Sequence, residues 1–110
     1  MERLIRQRLG NQKLLQSDRR EPAEIVGWLG AVQSQDFAGA KWSLGQRASG
    51  LTDQTIERAF NSGDILRTHV LRPTWHFVTP ADIGWMLTLT APRVLRFTAN
   101  YNPRVELGAR

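Results

Sequence analysis

The 110-residue chain contains no cysteine, and long apolar runs and lysine are also scarce. Without cysteine there are no disulfides and no zinc sites built from thiolates, so a reducing compartment is the simplest expectation. The longest apolar run is far shorter than the ~20 residues that a membrane-spanning helix needs. Met1–Leu9 lacks an apolar segment of signal-peptide length. These absences predict a soluble, cytoplasmic protein that has no membrane partner.

Positive charge is supplied almost entirely by arginine, which accounts for thirteen of the fifteen cationic residues. Against ten acidic residues this gives a formal net charge of +5 and a sequence pI near 11.0. The planar guanidinium suits phosphates and base edges and stacks on flat rings. A charge of +5 also serves simply to keep a small protein in solution. Together with the fold predicted below, it favours nucleic acid as the partner.

The length predicts a single domain over residues 1–110, with hydrophobic residues at 41% of the chain. Apolar periodicity predicts helices at 2–9, from Pro22 to about 33–36, at 38–47, at 53–61 and from Pro80 to about 89. Thr52 and Thr79 are the predicted helix caps. Pro92 is expected to interrupt the last helix, with another helix at 93–101. The four tryptophans lie on or beside apolar stripes and are predicted to be core residues.

The stretch from Gly63 to Asp82 predicts a β-hairpin, with strands at Asp64–Val70 and Thr74–Val78. We expect Trp75 and Phe77 to pair with Leu66 and Val70 on its apolar face. The opposite face then gathers polar residues, with Arg72 at the tip: Arg67, His69, Thr74 and His76. Both histidines of the chain are in this set, but no third ligand stands near them, so no metal is predicted.

The three clear helices are those at 2–9, from Pro22 and at 53–61, with 38–47 as a helix or a helical turn. Followed by two strands and a helix, they give the order of a winged helix, an α+β domain that is mostly α. Asp53–Asn61 would occupy the recognition-helix position, yet its outward residues form a mixed, somewhat acidic set. We therefore expect DNA contacts from the wing and from basic residues elsewhere. The predicted contacts are Arg67, His69, Arg72, His76, Arg93 and Arg96, the last two in a basic carboxyl-terminal helix or tail at 91–110.

Several ordered stretches together resemble a bacterial family of winged-helix proteins that includes the AlkZ/YcaQ-type DNA glycosylases. These stretches are Ala31–Phe37, Ala40–Arg47, Arg67–Thr68, Arg72–Val78 and Pro80–Asp82. Glycosylases of this kind remove bulky alkylated purines and unhook interstrand crosslinks. Family members are about three times longer than this chain, so the resemblance implies an amino-terminal portion of a larger protein. It implies double-stranded DNA as partner and no cofactor.

The resemblance also implies catalytic residues. The family motif is a glutamine, one intervening residue and then a glutamine or an aspartate, and Gln33-Ser34-Gln35 matches its two-glutamine form. The usual middle residue is apolar, and Ser34 departs from that pattern. An amide cannot be a general base at neutral pH, but it can orient water and favour positive charge on a sugar. That suffices when the leaving base is already cationic, as with a purine alkylated at N7.

Spacing leaves alternatives to this assignment. On a continuing helix Gln33 and Gln35 would point nearly opposite ways, whereas in an extended segment they would share a side. Residues 33–36 also fit a polar helix end at which Asp36 bonds to backbone, and Asp36 is an alternative water-orienting carboxylate. A non-catalytic DNA-binding module, such as a transcription regulator, and a protein-interaction winged helix are the competing functions. For the 110 residues alone, little or no turnover is expected.

Overall fold

The computed structural model describes residues 1–71 and 74–99, and its secondary structure is mixed α+β and mostly helical. In these ranges there are five helices and three strands: α1 (Glu2–Asn11), α2 (Pro22–Leu29), β1 (Val32–Gln33), α3 (Phe37–Gly45), α4 (Asp53–Ser62), β2 (Leu66–His69), β3 (Trp75–Val78) and α5 (Pro80–Thr98). Among the described helices, none combines the length and apolar character needed to cross a bilayer. The predicted helix end at 101, the tail beyond it and Arg72 lie outside the described residues.

Local sequence signals explain where most helices begin and end. Thr52 caps α4 as predicted, since its hydroxyl accepts a hydrogen bond from the Thr55 amide at 3.1 Å. Gly63 ends the same helix in the left-handed conformation (φ +84°), which glycine adopts without strain. Pro22 and Pro80 lie in the first turns of α2 and α5, where the missing amide hydrogen costs nothing.

Helix α5 continues through Pro92, so the predicted interruption is wrong. A proline removes one hydrogen bond from the ladder and crowds the preceding turn, but a helix of 19 residues retains the rest. The amino-terminal half of α5 is also held by packing, because Met86 is buried with Ile83 and Leu87 beside it.

Helix α2 stops earlier than predicted, and the residues after it form a short strand. Gly30 ends the helix with φ +85°, after which Val32 and Gln33 pair with Phe77 and His76. The prediction of helix to 33–36 is therefore wrong. The resulting sheet has the order β1-β3-β2 and is antiparallel throughout.

The hairpin forms, but its register differs from the predicted one. Leu66 lies opposite Val78, Arg67 opposite Phe77, and His69 opposite Trp75. Residues directly opposite one another share a face, so the predicted apolar and polar faces do not exist as such. Arg67 and His69 lie on the face of Trp75 and Phe77, whereas His76 and Thr68 lie on the face of Val78.

Both faces of this sheet are covered by apolar side chains. The larger cluster includes Ile25, Leu44, Ile56, Ile65 and Phe77, all at most 2% exposed. The smaller cluster on the other face consists of Val70, Val78 and Met86, with α5 supplying its cover. The central strand β3 is thus buried on two sides.

The prediction that the tryptophans are core residues is wrong for three of the four. Trp28, Trp42 and Trp85 are 50%, 71% and 55% exposed. Trp28 has a connecting role instead, because its indole Nε1 donates to the main-chain carbonyl of Asn11 at 2.8 Å. Helix α1, which has no buried residue, is held to α2 through this bond.

Candidate active site

The segment from Gln33 to Asp36 leaves the sheet in extended form and leads into α3. Gln33 and Gln35 are exposed, whereas Ser34 between them is fully buried. Asp36 has extended backbone angles and occupies the N-cap position of α3, without a capping bond from its side chain. The extended segment is the geometry in which the two glutamines share a side, rather than the helical one.

Gln33 and Gln35 both line one open cavity of about 290 Å³. Its remaining lining comes from the start of α3: Asp36, Gly39, Ala40 and Ser43. Gln33 and Ser43 also line a neighbouring cavity of about 430 Å³, which extends to Arg47 and Gln12. Gln33 therefore lies where two adjacent depressions meet, accessible from both.

Main-chain atoms of Trp75 hold the end of this segment. The Trp75 amide donates to the side-chain carbonyl Oε1 of Gln35 at 3.1 Å. The amide of Ser34 donates to the Trp75 carbonyl at 2.7 Å. A carbonyl oxygen has two lone pairs, so Oε1 retains one acceptor position and the amide nitrogen retains both hydrogens. Among the described residues nothing hydrogen-bonds to the side chain of Gln33, which leaves that amide available to solvent or substrate.

Asp36 supplies the negative charge of the cavity, and Gly39 makes room for it. A Cβ atom at position 39 would lie 3.0 Å from Oδ2 of Asp36. That distance is shorter than ordinary van der Waals contact. The carboxylate therefore lies against the first turn of α3 because residue 39 has no side chain.

Arg67, predicted as a DNA contact, hydrogen-bonds to main-chain carbonyls of the protein. Its Nε and Nη2 donate to the Ser34 carbonyl at 3.1 and 2.7 Å, and Nη2 also approaches the Gln35 carbonyl at 3.3 Å. The guanidinium carbon lies 5.0 Å from the centre of the Trp75 ring and 5.5 Å from that of Phe37. All five of these contacts lie within the protein, and the three hydrogen bonds are made to the segment that carries the glutamines.

The two predicted histidines lie on opposite faces of the sheet. His76 is only 6% exposed, and its Nδ1 pairs with the main-chain carbonyl of Thr74 at 3.0 Å. His69 is exposed and stacks on Trp75, with ring centres 4.0 Å apart. Arg93 and Arg96 are exposed on α5. Of the predicted DNA contacts in the described residues, His69, Arg93 and Arg96 therefore have accessible side chains.

In the comparison with protein families, residues 26–107 match a model described as DNA glycosylase AlkZ-like. The matched range includes the glutamine pair, the hairpin and α5. Comparisons with curated proteins and with solved structures found no match. Because the family model spans well over half of the chain, this protein belongs to the AlkZ-like DNA glycosylase family.

Proposed function

We propose that this domain is the winged-helix DNA-binding unit of a DNA glycosylase that excises alkylated purines, with Gln33 and Gln35 as its catalytic pair. Family membership relates the domain to DNA repair and implies DNA as its partner. The observation that carries the proposal is that Gln33 and Gln35 line the same open cavity.

The order of elements supports the winged-helix part of the proposal. A short strand, β1, lies between α2 and α3, and it joins the hairpin β2–β3 as an outer strand of the sheet. Helix α4 precedes the hairpin directly, in the position of a recognition helix. The hairpin then corresponds to the wing, with His69 at its distal end.

The chemistry follows from what the two amides can do. A purine alkylated at N7 carries a positive charge and leaves without a proton donor, so positive charge builds up on the sugar. Carbonyl oxygens aimed at that sugar stabilise the developing charge, and they also orient the attacking water. Gln33 has the freer amide for the water. The Trp75 amide fixes Gln35, so that its remaining lone pair points in one direction.

Duplex DNA is the proposed partner, contacted through the wing and α5. His69, Arg72, Arg93 and Arg96 are the residues that we propose for this contact. Phosphate contacts predict that the logarithm of the binding constant falls linearly with the logarithm of salt concentration, by ~0.9 per phosphate neutralised. Arg67 and His76 are proposed to support the site from within the fold.

The decisive experiment measures release of N7-methylguanine from methylated duplex DNA by the full-length parent under single-turnover conditions. We expect Gln33→Ala and Gln35→Ala each to lower the rate by on the order of 100-fold. Gln7→Ala is the matched control, because Gln7 is an exposed glutamine on α1 that neither lines the cavity nor belongs to the proposed DNA contacts. Unchanged rates in both alanine variants would refute the catalytic assignment.

The engaged Oε1 of Gln35 favours a second candidate, a non-catalytic DNA-binding module of the same fold. Salt-dependent binding of duplex DNA without base release by the parent would support that candidate over the first. The 110-residue chain alone is expected to release no base. Measurable release by the purified chain would contradict this expectation.

A further inference from the structure

We infer that Arg67 is a positioning residue, whose guanidinium fixes the main chain between Gln33 and Asp36 and so sets the direction of the two amides. The role in base release rests on the proposed function of the glutamines. The structural role does not, since it concerns only how the segment is held.

The sheet register explains how a residue on β2 reaches a segment that follows β1. Arg67 lies opposite Phe77 on one side of β3, and Val32 lies opposite Phe77 on the other. Neighbouring strands are about 4.8 Å apart, so the guanidinium must cross the central strand to reach the far edge. It does so over the face that bears Trp75, whose ring lies 5.0 Å from the guanidinium carbon.

The guanidinium bonds to two successive carbonyls rather than to side chains. It reaches Ser34 through Nε and Nη2, and Gln35 through Nη2. Its planar fork fixes the orientation of these carbonyls in a way that a single ammonium cannot. Charge-assisted hydrogen bonds are also stronger than neutral ones.

The two carbonyls belong to the peptide groups on either side of the Gln35 Cα atom, so they determine the direction of the Gln35 side chain. The peptide groups of Ser34 and Gln35 set where the Gln35 side chain starts, and its Oε1 meets the Trp75 amide from that point. Rotation of either peptide group would move Oε1 away from this donor. Arg67 therefore acts on Gln35 through the main chain, without touching the cavity that the amides line.

The first test measures amide hydrogen exchange by NMR on this chain, for wild type, Arg67→Met and Arg67→Lys. The reporters are the amides of Ser34 and Trp75, which make the two hydrogen bonds between the segment and β3. In Arg67→Met we expect both to exchange about tenfold faster or more. The amides of Leu44 and Ile56, in α3 and α4, should keep their wild-type rates.

Arg67→Lys is expected to fall between wild type and Arg67→Met, because lysine restores the charge but not the fork. Arg58→Met is the matched control, since Arg58 is exposed on α4. It should leave the reporter rates unchanged. Wild-type rates at Ser34 and Trp75 in Arg67→Met would overturn the inference. An equal rise at every amide would overturn it too, because that indicates a loss of global stability alone.

The second test adds DNA binding and base release by the full-length parent. A positioning role predicts that Arg67→Met lowers the single-turnover rate and leaves the salt dependence of duplex binding unchanged. A decrease of ~0.9 in the salt slope would identify Arg67 as a phosphate contact and refute the positioning role. If the wild-type parent releases no base, the proposed function fails, while the exchange measurement still decides whether Arg67 holds the segment.

Discussion

Phe77 and Val78 are consecutive residues of β3, yet their fully buried side chains lie in two different hydrophobic clusters. Phe77 meets the rings of Phe37 and Phe60, at centre distances of 5.9 and 6.3 Å. Val78 packs with Val70 and Met86 on the opposite face. The strand therefore joins the helices of the larger cluster to α5.

Truncation on either face of β3 is expected to destabilise the whole domain. Phe77→Ala should lower the free energy of unfolding by about 3–5 kcal/mol, through lost transfer free energy and the cavity left behind. Val78→Ala should cost about 2 kcal/mol for the same reasons. Urea unfolding followed by fluorescence and by circular dichroism measures both. Val78→Ala with wild-type stability, or loss of one cluster before the other, would contradict a single cooperative core.

Ser34→Ala is expected to be neutral or stabilising. The Ser34 side chain is fully buried, and its hydroxyl has no hydrogen-bond partner among the described residues. An unpaired buried hydroxyl lowers the free energy of unfolding by about 1–3 kcal/mol. Alanine lacks the hydroxyl and keeps only a methyl group, so the substitution removes that cost. The matched control is Ser43→Ala, because the Ser43 hydroxyl accepts from Arg47 at 2.7 Å. We expect the control to lose about 1 kcal/mol in urea unfolding, and the opposite order of the two variants would refute the argument.

Thr52→Ala is expected to lower the free energy of unfolding by about 1 kcal/mol, because it leaves the Thr55 amide without its capping acceptor. Thr88→Ala serves as control. The Thr88 hydroxyl donates to the Gly84 carbonyl within α5, a bond that adds little to a helix already formed. Thermal unfolding should show a lower midpoint for Thr52→Ala and an unchanged or higher one for Thr88→Ala. Equal midpoints for the two variants would argue against the cap.

Lys41 is expected to make the stability of the domain depend on pH in the alkaline range. Its ammonium lies 2.8 Å from Asp53 and 2.8 Å from Glu57, and the side chain is 10% exposed. Hydrogen bonds to Asp53 and then to Glu57 raise the pKa of Lys41 above its ordinary value. A raised pKa in the folded state means that the stabilisation is complete below the ordinary lysine value of about 10.4 and is lost as pH rises through the raised one.

The corresponding measurement compares thermal midpoints of wild type and Lys41→Met between pH 7 and pH 11. We expect a lower midpoint for the variant, with a constant difference up to about pH 10 and a smaller one above it. Lys13→Met removes the other lysine charge, which pairs with the exposed Asp18, and controls for the change in net charge. A difference that grows with alkaline pH would contradict the sign of the pKa shift.

Sequence reasoning predicted the elements whose signals are local. Asp53–Asn61 was predicted as a helix capped by Thr52, and the structure extends that helix by one residue. The side shared by Gln33 and Gln35 was likewise expected for an extended segment, since alternation follows from backbone geometry alone. Strand β1 was missed because it is two residues long and follows directly on a helix. The glycine at 30 was the available signal for the helix end.

The hairpin faces could not be predicted from alternation. Apolar residues lie on both faces of the sheet, with Phe77 on one face and Leu66 and Val78 on the other. Two registers would therefore bury similar residues, and tertiary packing decides between them. The partners of Arg67 depend on the same choice. In the register that places Arg67 opposite Phe77, the guanidinium is directed across β3 toward Ser34. The sequence offers no local signal for a contact between residues 33 positions apart.

The absence of a side chain at Gly39 gives experimental access to the charge beside the two amides. A methyl group at this position would lie 3.0 Å from Oδ2 of Asp36, and the carboxylate would have to shift by a few tenths of an ångström. Gly39→Ala thus moves a negative charge within the cavity while both glutamines remain chemically intact. A substitution at Gly39 therefore changes the electrostatic potential in this cavity, although residue 39 makes no hydrogen bond to the glutamines.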